Sequence, residues 1–290
     1  MPDLLQNLLD TEAFQVAPAD RPFWYTSGTL GPFYVNTENL YGSRDKAERF
    51  LGVIEREKDD PLRCPPVLLD AVRQNDQTDA VYRDVVDRIV EVARTQIDLN
   101  AIDFVSGGER RDWFFSLMAG IRLRKPLLLI FKDLGIVSVA PDGAVAPVER
   151  LDGKRTLHVA DLVTEASSYV RGWVPAIAQR GGRMTHAINV VDRDQGGDQA
   201  LRDHGIAPHA LLKIDDAMFE ALRRQGRIDD AQRKMLLAYR ADPKAAMRAF
   251  LMSHPAFLKE ALASSDPKIA SRARLLVESD PYGIATRDPG

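Results

Sequence analysis

The stretch Thr156–Tyr169, TLHVADLVTEASSY, decides the fold class of this chain. It begins as an apolar run, reaches one carboxylate at Asp161, and turns into small and hydroxylated residues. In an α/β protein, a buried strand that ends this way delivers a loop at a helix start. There hydroxyls and unpaired amides converge, and such a loop can hold a phosphate. Thr164, Ser167 and Ser168 supply hydroxyls, and Asp161 supplies an acceptor for a ribose hydroxyl. The same residues also suit a plainer role, with Thr164 or Ser167 capping the next helix. The loop has no glycine, and Glu165 puts a negative charge inside it.

Working outward, three further runs behave like the first. IDFVSGGERRD (102–112) is a short apolar strand running into two glycines. KPLLLIFKD (125–133) is apolar on both faces, and THAINVVDRDQGG (185–197) is a third such strand, with HALLKI (209–214) a fourth. Helical stretches separate them, as in DWFFSLMAGIRLR (112–124). Apolar strands alternating with helices predict a mostly parallel sheet flanked by helices. Ligands of such sheets sit beyond the carboxyl ends of the strands. The candidate tips are therefore 106–112, 132–135, 161–168 and 192–197. At the first, Gly107 and Gly108 allow backbone to approach a ligand, and Arg110 or Arg111 has the fork to grip a pyrophosphate. At the last, Arg193 has the geometry to read a planar acidic ring.

Upstream, Leu4, Leu5, Leu8 and Leu9 recur at helical spacing, which predicts a helix over 2–14. An aromatic, turn-rich stretch follows, with turns at Ser27-Gly28 and Gly31-Pro32. Residues 43–57 read as helix. Residues 58–79 read as irregular, because Pro61, Pro65 and Pro66 interrupt them. Val81, Val85, Ile89 and Val92 form one stripe, so 79–97 is a helix. GIVSVAPDGAVAPV (135–148) reads as a hairpin about Pro141-Asp142-Gly143. From about residue 215 the chain turns helical throughout. The expected domains are 1–214, carrying the sheet, and 215–290, a helical C-terminal extension.

Composition sets the bounds. The chain has 290 residues, 45% hydrophobic and 28% charged, with a formal net charge of −3. That is ordinary for a globular chain and gives no basic surface for nucleic acid. No apolar run approaches the ~20 residues needed to span a bilayer. The start reads as an amphipathic helix and not as a signal peptide. Cys64 is the single cysteine, so no intrachain disulfide forms, which fits a reducing cytoplasm.

Taken in order, these stretches resemble the orotate phosphoribosyltransferases, which have the type I phosphoribosyltransferase fold. A leucine-rich first helix comes first, followed by FWYTSGTLGPFYVN (23–36), similar to the family's N-terminal hood segment of form SG…SP plus two aromatics. A glycine-bearing tip follows. IFKDLG (130–135) is similar to the KDHG stretch of a basic mobile loop. The opening stretch corresponds to the phosphoribosyl-diphosphate loop, and VDRDQGG to a DR-x-x-GG element. The likeness covers roughly residues 1–214, and the helical extension lies outside it.

The resemblance implies transfer of phosphoribosyl from phosphoribosyl diphosphate to orotate, in pyrimidine biosynthesis, with Mg2+ riding on the diphosphate. It names no protein side chain as a metal ligand. It implies catalytic roles for Asp161 and Lys132. It implies diphosphate-substrate binding by Arg110, Arg111, Lys132, Asp161, Thr164, Ala166, Ser167 and Ser168, and base binding by Phe33, Tyr34, Thr164 and Arg193. It also implies a cytoplasmic homodimer with a small-molecule ligand and with no nucleic-acid or membrane partner.

The chain departs from the family pattern in several places. Ala160 stands where the family has the first of two tandem acids. Glu165, Ala166 and Ser167 stand where it has glycines, and Leu134 where it has the histidine of KDHG. Two functions therefore remain open. One is a transferase with activity reduced or lost at the diphosphate end. The other is a non-catalytic relative that binds a nucleotide or base as a sensor or regulator. A weaker third is a scaffold whose helical tail docks a partner protein.

Overall fold

A computed structural model describes residues 4–284. Its contacts divide the chain into two compact units. The first takes the chain up to Ala13 and then Asn36–Ile214; the second takes Phe14–Val35 and the chain from Asp215 onward.

The second unit contains four short strands: β1 (Phe14–Val16), β2 (Phe23–Trp24), β3 (Leu30–Gly31) and β4 (Phe33–Val35). β1 pairs antiparallel with β4, and β2 with β3. Five helices complete it: Asp216–Arg224, Asp230–Ala241, Pro243–Ser253, Pro255–Leu262 and Pro267–Ser279. Four of them start at aspartate caps, Asp215, Asp229, Asp242 and Asp266, whose side chains accept from first-turn amides. The sequence reading placed 14–35 with the sheet; packing places it with the helices instead. The reason is aromatic. Phe33 is 3% exposed and packs against Phe219 and Tyr239, and Trp24 stacks on Phe257 at 5.5 Å. Backbone groups are tied in as well, Leu30 N donating to the Tyr282 hydroxyl at 2.7 Å.

The first unit carries a seven-stranded sheet. Its strands are β5 (Phe104–Gly108), β6 (Leu127–Ile130), β7 (Ile136–Val139), β8 (Val145–Pro147), β9 (Arg155–Val163), β10 (Arg183–Asp192) and β11 (Ala207–Lys213). The order is β11-β10-β9-β5-β6-β7-β8, parallel from β11 to β6, with β7 and β8 antiparallel. The continuous apolar runs of the sequence are the buried strands, and every residue of β6 is buried. The β7–β8 hairpin turns at Gly143, whose φ of 92° only glycine adopts freely.

Two expectations for helices change. The first helix spans Leu4–Asp10, not 2–14, and residues 2 and 3 lie outside the described residues. The stretch read as irregular contains a helix, Cys64–Thr78. Pro65 and Pro66 sit in its first turn, where an N–H has no intrahelical partner and a proline costs nothing. The prolines start this helix instead of breaking it. Cys64 is fully buried in that first turn, so it packs.

Helices Arg44–Glu57 and Ala80–Gln96 meet Trp113–Leu123 through an aromatic cluster. Tyr41 stacks on Phe50 at 4.8 Å, and Phe114 meets both edge-on. Tyr82 is fully buried, and its hydroxyl donates to the Phe114 carbonyl at 2.6 Å. Tyr82→Phe removes this buried hydrogen bond, so urea denaturation should show a loss of about 1 kcal/mol. An unchanged midpoint would mean that the bond contributes nothing.

Candidate functional site: a crevice at the strand switch point

Chain order reverses between β5 and β9. From β5 the chain runs outward to β6, β7 and β8; β9 begins the other half, with β10 and β11. Such switch points open a crevice at the carboxyl ends. The β5–β9 pairing stops at Ser106–His158, three residues before Asp161. Beyond it lies a cavity of about 490 Å³. One wall is the β5 tip, Glu109–Asp112, and the other is the run Ala160–Tyr169, with Trp173.

The floor of this crevice is a buried polar chain. Ser106 Oγ lies 3.0 Å from His158 Nδ1, and His158 Nε2 lies 3.2 Å from Asp112 Oδ2. Asp112 also accepts from Gly108 N at 2.9 Å and from Asp161 N at 3.3 Å. The Asp161 carboxyl accepts from Thr37 Oγ1 at 2.5 Å. Ser106 and His158 are fully buried, so their triad-like arrangement holds the strands together and offers no nucleophile to solvent. Burial and then the neighbouring Asp112 raise the Asp161 carboxyl to about 7. Tyr169 closes the cluster; its hydroxyl donates to Asn189 Oδ1 at 2.7 Å, and its burial pushes that hydroxyl's pKa well up.

The loop residues foreseen in the sequence do meet here. Thr164, Ala166, Ser167 and Ser168 border the cavity with Asp161, Arg110 and Arg111. Ser167 and Ser168 are exposed, and Ser168 makes no side-chain cap on the helical turn that follows. Glu165 is exposed as well, which lets water screen its charge. Ala166 holds a φ of 57°, a left-handed conformation that costs a non-glycine residue about 1–2 kcal/mol. The loop keeps a shape that suits glycine although the glycine is gone. Ala160 is 2% exposed and belongs to the apolar core with Val163 and Ala166.

Both tip arginines are engaged: Arg111 pairs with Glu38 at 2.9 Å, and Arg110 pairs with Glu55. The two tip glycines are filled from within. A methyl at Gly107 would overlap Ser116, and one at Gly108 would overlap the Trp173 indole. Lys132 lies in a tight turn, its amide donating to Glu109 Oε2 at 2.9 Å. It borders a second cavity of about 650 Å³ that also touches Arg110, Ser168, Arg171 and Trp173. Leu134, at a φ of 68°, lies beside Gly172.

Of the residues expected to bind the base, Thr164 borders the cavity. Arg193 follows β10, and its amide donates to Val163 O at 2.9 Å, next to the loop but outside the lining. Phe33 and Tyr34 belong to the second unit. There Phe33 is core, and Tyr34 donates to Trp24 O at 2.5 Å. Among the described residues, no three or more His, Cys, Asp or Glu side chains are grouped to hold a metal ion, and no helix is long and apolar enough to cross a membrane.

Sequence reasoning missed Thr37, Glu38, His158 and Trp173. Thr37 is 124 positions from its partner Asp161, and no local signal reports such a pairing.

The raised Asp161 carboxyl has a signed consequence. Between its ordinary value of 3.8 and about 7, the folded chain holds a proton that the unfolded chain has released. Stability from this group is full below the lower value and is lost as pH rises through the upper one. Asp161→Asn keeps an acceptor for Thr37 and removes the titration. Denaturation midpoints of the variant should gain on the parent on going from about pH 5 to about pH 8. A constant difference would contradict the assignment.

Comparison with known proteins agrees with this geometry. The chain is 32% identical over 87 residues to the orotate phosphoribosyltransferase of Saccharolobus solfataricus, a match covering 30% of this chain and 44% of that protein. A second archaeal orotate phosphoribosyltransferase, from Sulfolobus acidocaldarius, is also matched over 44% of its length, so the likeness spans under half of these curated relatives. No family model matches the chain. In fold, the chain superposes on the orotate phosphoribosyltransferase of Aeropyrum pernix with a TM-score of 0.50 at 19% identity, covering 76% of this chain and 98% of that one. It superposes on UMP synthase of Leishmania donovani with a TM-score of 0.54 at 16% identity, covering 81% and 41% respectively. The chain thus has the type I phosphoribosyltransferase fold, and over part of its length its sequence is similar to orotate phosphoribosyltransferases.

Proposed function

We propose that this chain binds a pyrimidine nucleotide through its ribose 5-phosphate, held by the Thr164–Ser168 loop, with phosphoribosyl transfer weak or lost. The observation that carries this reading is the disposition of the loop. Its hydroxyls border a cavity of about 490 Å³, while the Asp161 carboxyl that precedes it is hydrogen-bonded by Thr37 beside Asp112 and Glu165 is exposed. Transfer from a ribosyl diphosphate needs cations on the leaving group and dipoles aimed at the developing positive charge. Here Arg110 and Arg111 already answer Glu55 and Glu38. Asp161, with a pKa of about 7, is a poor anion for a cationic ribosyl centre.

Arg193 is the proposed reader of a pyrimidine carboxylate, set next to the loop by its bond to Val163. Magnesium enters the proposal only as a companion of a diphosphate. Mg2+ is usually held by substrate phosphates and water with one or two carboxylates and needs no all-protein cage. A cytoplasmic homodimer is the assembly that goes with the same reading.

A second reading, an active transferase of orotate, draws on the second cavity, where Arg110, Lys132 and Ser168 meet. One experiment separates the two. Calorimetric titration with ribose 5-phosphate and orotidine monophosphate is followed by an assay of diphosphate release from phosphoribosyl diphosphate, orotate and Mg2+. The binding reading expects saturable uptake of both phosphates and no sustained release. Sustained release establishes the transferase, and failure of both phosphates to bind removes the loop as a site.

A further inference from the structure

Trp173 borders both cavities and lies against the backbone of Gly108. It is held there by its own turn. Tyr169–Trp173 forms a single π-helical turn, the Val174 amide donating to the Tyr169 carbonyl. Tyr169 anchors that turn in the core through Asn189, and the extra residue of the π turn sends the indole across the β5 tip. Such turns recur at functional positions. On the far side stand Lys58, Arg110, Lys132 and Arg171, facing the second cavity with Glu55 and Glu109. On the near side stand Thr164, Ser167 and Glu165, and Ser168 borders both cavities.

We propose that Trp173 is a partition that sets ligand specificity: it walls the phosphate loop off from the cationic chamber, so that the site admits a monophosphate and rejects a ribosyl diphosphate. This rests on the reading of the Thr164–Ser168 loop as a ribose-phosphate site. Three features of the tip point the same way. The open face of Gly108 is covered by the indole, so a diphosphate has no bare backbone to approach. Arg111 is paired inward with Glu38, which is 9% exposed. Arg110, which like Glu109 and Ser168 borders both cavities, is tied to Glu55.

The partition can be tested by calorimetry on the full chain. The parent and Trp173→Ala are titrated with ribose 5-phosphate, with inorganic pyrophosphate, and with phosphoribosyl diphosphate in Mg2+. The variant should gain at least about tenfold for phosphoribosyl diphosphate, roughly 1.4 kcal/mol. Its affinity for ribose 5-phosphate should change by less than about threefold. Trp173→Phe keeps a ring on Gly108 and should gain less; it also serves if the alanine variant does not fold.

A direct optical readout is available too. Trp24 and Trp113 are buried at 7% and 0% exposure, while Trp173 is half-buried. Iodide quenching of the parent should therefore report Trp173, and ribose 5-phosphate should reduce it. Equal affinity of parent and variants for phosphoribosyl diphosphate overturns the partition, as does tight binding by the parent. Loss of ribose 5-phosphate binding in the variants overturns it too, by making the indole a stacking platform. If the parent binds no ribose 5-phosphate, the loop reading fails instead, and the pyrophosphate titration of the variants still decides whether Trp173 blocks the cationic chamber.

Discussion

The buried pair of carboxyls, Asp112 and Asp161, governs this site. Asp112 accepts the Gly108 amide from one strand tip and the Asp161 amide from the other, and meets His158 between them. It therefore joins β5 to β9 just where their own ladder has ended at Ser106–His158. Asp161 must then sit against a like group out of water. Burial and the neighbouring Asp112 both disfavour its charged form, so Asp161 keeps its proton until pH is near 7. The cost is softened by Thr37, which donates to Asp161, and by Arg111, which stands near it while pairing with Glu38.

The rest of the crevice follows from that constraint. With Asp161 hydrogen-bonded by Thr37, the loop brings the hydroxyls of Thr164, Ser167 and Ser168 to its cavity together with the exposed Glu165. Ala160 adds no second acid, being packed with Val163 and Ala166 in the apolar core. The β5 tip is closed by the chain's own groups: an indole on Gly108, Ser116 on Gly107, and glutamates on both arginines. Fold and chemistry thus part company. The fold is that of a type I phosphoribosyltransferase, while Arg110 and Arg111 at the tip pair with Glu55 and Glu38.

What the sequence made legible was what period and local chemistry control. The parallel strands were readable as continuous apolar runs, and the β7–β8 hairpin from Pro141-Asp142-Gly143. The loop residues at the cavity were readable from one strand ending. Its failures have physical causes. Pro65 and Pro66 were read as breakers, yet proline is harmless where a helix has not begun its hydrogen bonds. The aromatic stretch 14–35 was placed with the sheet by order along the chain, yet Phe33 and Trp24 bury their rings on helices some 180 residues and more downstream. Thr37, Glu38 and Trp173 reach the crevice through long-range packing, which has no period to detect. Trp173 depends besides on one extra residue in a helical turn.

The most direct test is the titration of Asp161 itself. Carbon-13 NMR of the aspartate carboxyls, assigned by loss of one signal in Asp161→Asn, would follow its ionisation in the intact chain. The account predicts a midpoint raised to about 7. A midpoint at the ordinary value of 3.8 would place Asp161 in water, free to meet a ribose, and would contradict the claim that this carboxyl serves the fold.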